Sequence, residues 1–303
     1  MTAVGSEPPG AEGTLPGPGW AVLGDSVTGA VHLRKNQPNQ DCWQGLRSGD
    51  PASELGPCAV LAVADGHGSA KSFRSAQGAM FAVDVAADEL WSNRQQSYQS
   101  LRDPEQMRRL AARIVREWRQ SVAAHVESHP FSALEAELLP RSEPAALEAD
   151  GSDYFVVYGT TLLAVLIAAD SILYLQLGDG DILTVDGAGV VERPLEKDPA
   201  LLGNETTSLC QRDAVDRFRC RIQSAQDQWP TMIMLTTDGL PNCYQEDGSF
   251  HKFASDLLAA LRQRGSTYVQ RNLQSTLRYA SDHGSGDDVS VVVAYFDPSG
   301  GQE

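Results

Sequence analysis

The run CAVLAVADGHG, residues 58–68, decides how this chain is read. Cys58 to Ala64 is an unbroken apolar stretch between Pro57 and Gly66, the mark of a buried strand. It runs straight into Asp65-Gly66-His67-Gly68, so a carboxylate, two glycines and an imidazole stand at the strand's end. Moving outward, the same juxtaposition recurs. TMIMLTT, residues 231–237, runs into Asp238-Gly239, and ILYLQL, residues 172–177, runs into Gly178-Asp179-Gly180-Asp181. Gly286-Asp287-Asp288 runs into VSVVVAYF, residues 289–296, and Asn39-Gln40-Asp41 opens another short strand.

A single Asp-Gly is ordinary turn chemistry. The set has a further meaning, because buried strands anchor these ends on a common sheet framework. Carboxylates that converge there repel one another unless a cation sits among them. An oxygen-rich cluster suits magnesium or manganese rather than zinc. A glycine without Cβ lets backbone groups approach an ion closely. His67, one residue beyond the first Asp-Gly, is a candidate general acid, against the plain alternative of a structural histidine.

The remaining pattern alternates strands with grouped helices. Strands are expected at 20–27, 41–46, 159–169, 172–177, 182–186, 190–193, 231–237 and 289–296. The four between 159 and 193 are separated by short polar or Gly turns and read as antiparallel hairpins. Apolar residues at helical spacing (Phe73, Ala76, Met80, Val83, Ala87, Leu90) predict a helix over 69–91. A second helix over 104–127 carries the stripe Met107, Leu110, Ile114, Val115, Trp118 and Val122, with Pro104 in its first turn. Helices are also expected over 250–263 and 267–281. Residues 129–153 read as an acidic surface insertion and 194–229 as a polar loop or flap. Residues 1–19 read as a disordered Gly/Pro/Ala-rich tail without signal-peptide character. One domain over 20–298 follows, of α+β class.

A formal charge of −16, from 24 basic and 40 acidic residues, repels nucleic acid and anionic membranes. The most apolar run, residues 161–177, is interrupted at Asp170-Ser171 and too short to span a bilayer. The five cysteines are odd in number and form no C-x-x-C, which excludes a disulfide framework or zinc knuckle and points to a reducing cytoplasm. The segment from Asp179 places Leu183 and Val190 where a calcium loop needs oxygen ligands. P-loop, G-x-S-x-G, H-E-x-x-H and G-x-G-x-x-G patterns are absent.

From Trp20 to Phe296 the ordered motifs resemble the metal-dependent serine/threonine protein phosphatases of type 2C. The residues that carry the resemblance are Asn39-Gln40-Asp41, VADGHG at 63–68, Gly159-Thr160-Thr161, Gly178-Asp179-Gly180-Asp181, Thr237-Asp238-Gly239-Leu240 and Asp287-Asp288-Val289-Ser290. The resemblance implies a four-layer α/β/β/α sandwich of two antiparallel sheets flanked by helix pairs, with a dinuclear manganese or magnesium centre at the sheet ends. It implies that Asp65 bridges two cations, that the Gly66 carbonyl binds one, and that Asp238 and Asp287 hold the other. Gln40 belongs to the same metal-binding motif. Asp41 would orient water, and Asp179 with Asp238 would serve a weaker third cation. A metal-bridging hydroxide would attack phosphoserine or phosphothreonine, and His67 would protonate the departing oxygen. Phosphoprotein substrates and a cognate serine/threonine kinase are the implied partners.

Departures from the pattern carry their own expectations. Gln40 stands where most of these phosphatases have Glu, and a neutral amide weakens one cation site. His32 and Gln40 match the spacing of a bacterial Gln-Asp branch. Asn36 stands where a better-known branch has a phosphate-gripping Arg, which leaves Arg34, Lys35 and His32 as the candidates near substrate phosphate. Asp181 replaces an Arg, and Asp288 replaces an Asn, with Asp287 favoured over it as ligand. Two other functions remain in view: a catalytically weak pseudophosphatase acting as a regulatory binding module, and an acidic calcium-binding interaction domain.

Overall fold

The computed structural model describes residues 19–48, 56–139, 153–198, 206–224 and 226–297. The expected tail up to residue 18, part of the 129–153 insertion and part of the 194–229 loop lie outside these. Ten strands are present: β1 (Gly19–Val27), β2 (Asp41–Arg47), β3 (Ala59–Asp65), β4 (Leu162–Ile167), β5 (Ser171–Leu177), β6 (Asp181–Val185), β7 (Val191–Glu192), β8 (Arg219–Ser224), β9 (Met232–Thr236) and β10 (Val289–Asp297). They form two antiparallel sheets, ordered β1-β10-β9-β6-β7 and β2-β3-β4-β5-β8. The helices are α1 (Ala30–Arg34), α2 (Ser75–Ser92), α3 (Tyr98–Leu101), α4 (Pro104–Ser128), α5 (Ala133–Leu138), α6 (Ala214–Arg217) and α7 (Asp247–His283). Among the described residues no helix is long and apolar enough to cross a membrane.

Strand alternation builds the layers. On β3, Ala59, Leu61 and Val63 face the other sheet, while Val60, Ala62 and Ala64 face α2 and α4. On β9, Ile233 and Leu235 face inward, while Met232 and Met234 pack on α7. The result is the expected α/β/β/α sandwich. Its two helix layers are α2 with α4 on one side and the two arms of α7, broken at Gly265 (φ 79°), on the other. The two helices expected over 250–263 and 267–281 are these arms.

Three expectations change. First, the predicted stripe of α2 holds only in part: Val83, Ala87 and Leu90 are buried as expected, Met80 is exposed, and Ser75, Gly78, Ala79, Ala82 and Ala86 complete the buried face. Small residues let α2 lie close, with the Trp118 Nε1 donating to the Gly78 carbonyl at 3.0 Å. Second, β5 and β6 are no hairpin, since β5 pairs with β4 and β8 while β6 pairs with β7 and β9. Gly178-Asp179-Gly180 instead carries the chain from one sheet to the other, and Gly178 adopts φ 118°, a conformation that favours glycine. Third, the 194–229 segment contains α6 and the edge strand β8.

Candidate functional site

Parity places the acids. Asp65 ends β3 on the same face as Leu61 and Val63, so it is directed into the gap between the sheets. Asp41 lies directly opposite it across the β2–β3 pair. Thr237, two residues beyond Leu235, has the same inward parity and donates its hydroxyl to Asp41 Oδ2 at 2.6 Å, tying one sheet to the other. Ser290 N donates to the same Thr237 oxygen at 3.0 Å. The Gly159-Thr160-Thr161 segment clamps Asp65 by its backbone. Thr161 N and Thr160 Oγ1 donate to its carbonyl at 2.9 and 2.8 Å, and Asp65 N donates to Thr161 Oγ1 at 2.9 Å. Gly66 N donates to the Gln40 carbonyl at 3.1 Å, joining the first two motifs. The sheet-to-sheet crossover delivers Asp179, whose Oδ1 accepts from Thr206 Oγ1 at 2.9 Å.

The carboxylates feel one another. Burial pushes Asp41 well above the ordinary carboxylate range, and the charges of Asp288, Asp238 and Asp287 push it further, against the Thr237 hydrogen bond. Asp65 is raised likewise, by burial first and then by Asp41, Asp238 and Asp179. Asp238 is pushed from 3.8 to about 6 by burial, Asp179 and Asp287. Six acids from five chain segments thus meet in one field. Among the described residues, however, no three His, Cys, Asp or Glu side chains are drawn into a coordinating arrangement. The acids are near enough to repel and stand apart.

The two adjacent acids before β10 differ. Asp287 is half exposed beside the cleft. Asp288 is buried and accepts from Gly29 N and Gln40 N, each at 2.6 Å, with His32 Nδ1 at 2.9 Å. Its role in the fold is therefore to hold α1 and the Gln40 loop together. Gln40 is buried, yet its Oε1 has no hydrogen-bond partner. His67 packs its ring against Gly159, with Cys210 also beside that glycine, and its backbone N–H donates to the Gly159 carbonyl at 3.0 Å. Burial lowers the His67 pKa, and the Asp179 charge pulls it back up.

Other candidates fall outside this group. Arg34 and Lys35 are exposed at the end of α1 and take no part in these contacts. Asp181 is buried and ion-paired with Arg193, whose Nε donates at 2.5 Å, while the same guanidinium grips Asp247 at the start of α7. Sequence reasoning missed Thr237 and Thr206 as site residues. Their only signal was a hydroxyl next to, or near in space to, an acidic strand end.

A family model described as protein phosphatase 2C matches residues 28–278. No curated protein sequence matches at a significant level. Among solved structures, the Mycobacterium tuberculosis serine/threonine phosphatase PstP/Ppp is 18% identical, with 92% of this chain and 99% of that chain covered and a TM-score of 0.52. The catalytic domain of PstP in complex with two manganese ions is also 18% identical, with 91% and 98% covered and a TM-score of 0.52. PppA of Pseudomonas aeruginosa is 15% identical, with 92% and 98% covered and a TM-score of 0.52. At these identities the likeness concerns the fold.

Proposed function

The chain belongs to the protein phosphatase 2C family, and from that premise we propose that it is a metal-dependent phosphoprotein phosphatase acting on phosphoserine or phosphothreonine. One observation carries the reading: strand pairing and hydrogen bonds bring acids from distant segments together at the sheet ends, where burial and mutual repulsion raise their pKa values. Such a field is relieved by divalent cations, and carboxylates with an orphaned amide oxygen at Gln40 form a donor set suited to manganese or magnesium. Asp65, the Gly66 carbonyl, Asp238 and Asp287 would hold two cations, and Asp179 with Asp238 a weaker third. Bound there, the cations supply water of lowered pKa and neutralise phosphoryl charge.

The protein's own residues do the rest. The Thr160–Thr161 clamp fixes Asp65, so the cleft's central carboxylate is pre-positioned. The Thr237 hydroxyl occupies one oxygen of Asp41 and leaves the other to orient water. His67, wedged over Gly159, would give its proton to the departing serine or threonine oxygen. Arg34 and Lys35 at the rim would attract the phosphorylated substrate. Phosphoproteins are then the substrates, and a cognate serine/threonine kinase the opposing partner.

The competing reading, a regulatory pseudophosphatase, draws on the neutral Gln40 and on Asn36 in place of an Arg. One assay separates them. Purified protein is incubated with an aryl phosphate and with a phosphopeptide in manganese, alongside Asp65→Asn and Asp238→Asn. Metal-requiring hydrolysis lost in both variants supports the enzyme. Absence of turnover on both substrates supports the binding module.

A further inference from the structure

We propose that His32 Nε2 and Gln40 Oε1 form a mixed nitrogen–oxygen ligand pair for one divalent cation, with Asp288 as the residue that positions the imidazole. The inference rests on the two-cation reading of the cleft and extends it to His32 and Asp288, which that reading leaves without a task.

Three observations lead to it. Gln40 is only 7% exposed and its Oε1 is unpaired, and a buried acceptor without a partner calls for an explanation. His32 lies with Nδ1 2.9 Å from Asp288 Oδ1. Asp288 is 3% exposed and fixed by the Gly29 and Gln40 amides, so it is a rigid support. A carboxylate behind one ring nitrogen orients the other as a ligand. At Nδ1 the carboxylate is close without the alignment of a full hydrogen bond. Finally, both atoms border the space beside Gly68. A Cβ on Gly68 would sit 3.5 Å from Gln40 Oε1 and 4.0 Å from His32 Nε2, and glycine leaves that volume open. Asp287 Oδ1, 4.0 Å from His32 Nε2, borders it too.

The chemistry follows from the donor types. A neutral imidazole and a neutral amide with one carboxylate bind magnesium poorly and suit manganese, cobalt, nickel or zinc. Loss of the negative charge at position 40 therefore redirects metal preference instead of emptying the position. The same contacts explain why Asp288 is an acid: its two oxygens accept from two amides and lie beside the His32 ring.

The test is pulsed EPR on the metal-stripped full chain titrated with manganese, with affinities measured by calorimetry. The parent should show nitrogen-14 coupling from a directly bound imidazole, lost in His32→Ala and retained in His67→Ala. Asp288→Asn should weaken manganese binding by about 10- to 100-fold, with a much smaller change for magnesium. If His32→Ala does not fold, the parent and His67→Ala spectra decide: coupling that survives in His67→Ala supports the assignment, and coupling that vanishes there overturns it. Manganese bound by the parent and lost in Asp65→Asn, but without nitrogen coupling, sinks this inference alone. No manganese binding by the parent sinks the two-cation reading with it.

Discussion

Replacing Asp238 by Asn should stabilise the metal-free protein at neutral pH, although it removes a central acid of the cleft. Asp238 has its native pKa raised from 3.8 to about 6. A carboxyl raised on folding costs nothing below its unfolded pKa, costs progressively more as pH climbs between the two values, and costs its full amount above the native one. The rise from 3.8 to about 6 corresponds to about 3 kcal/mol. An Asn at 238 escapes this cost and keeps an oxygen for the Asn242 Nδ2 donor, which lies 3.0 Å from Asp238. In chelator at about pH 7.5 the variant should therefore melt roughly 5 °C above the parent. The gain should shrink to about 1 kcal/mol at about pH 4.5. Manganese should close most of the gap. A cation at 100 times its Kd adds about 2.7 kcal/mol to the parent, and the variant should gain much less. Melting curves by calorimetry across pH, with chelator and with manganese, read all of this. A variant less stable than the parent at every pH without metal, joined to a parent indifferent to manganese, would refute the argument from crowded carboxylates.

Three further outcomes are expected. His67→Ala should cut kcat on a phosphoserine peptide by about 10²- to 10⁴-fold and on an aryl phosphate far less, because an aryl leaving group needs no proton; equal losses on both substrates would remove His67 as proton donor. Arg193→Ala strands Asp181, which is 3% exposed, and should cost about 3–5 kcal/mol in urea unfolding, with Asp181→Asn in the same chain recovering much of it. Gly78→Ala builds a Cβ 1.9 Å from the Tyr158 carbonyl and should lower stability by about 1–3 kcal/mol through overpacking between α2 and the 153–158 turn, whereas Met80→Ala on the exposed side of α2 should be nearly neutral.

The strands that carry the site were readable because each is an apolar run ending in an acid, and both signals survive without knowledge of tertiary partners. Chain position alone gave α4 correctly, since its stripe from Met107 to Val122 consists of large residues that must be buried. On α2 it placed Val83, Ala87 and Leu90 correctly but put Met80 in the core and passed over Gly78, Ala79, Ala82 and Ala86, because Ala, Gly and Ser bury as readily as Phe and Met when a helix must lie close on a sheet. It missed β8, whose run RCRIQS offers only Cys220 and Ile222 as apolar residues, and edge strands carry little hydrophobic signal. It also read Gly178–Gly180 as a hairpin turn, because a turn's sequence does not say which sheet the next strand joins.

That last difference bears directly on the site. Had β5 and β6 formed a hairpin, Asp179 would lie at the rim of one sheet. As a crossover, the turn spans the gap between sheets and brings Asp179 into the field of Asp65, Asp238 and His67. Thr237 works the same gap from the other side, bonding Asp41 across it. The cleft's chemistry thus depends on how the two sheets are held against each other at this end. The sequence names the acids, but their distances are set by the inter-sheet core of Leu61, Val63, Leu163, Ile182, Leu235 and Val292. Core substitutions here should alter cation affinity without touching a ligand. Leu163→Ala, beside Gly180 in the crossover turn, is the sharpest case. It should cost about 2–5 kcal/mol in stability and loosen the placement of Asp179. Manganese affinity that falls in this variant, measured where it is still folded, would support the inter-sheet argument; unchanged affinity would mean that the strand ends hold the acids without the core behind them.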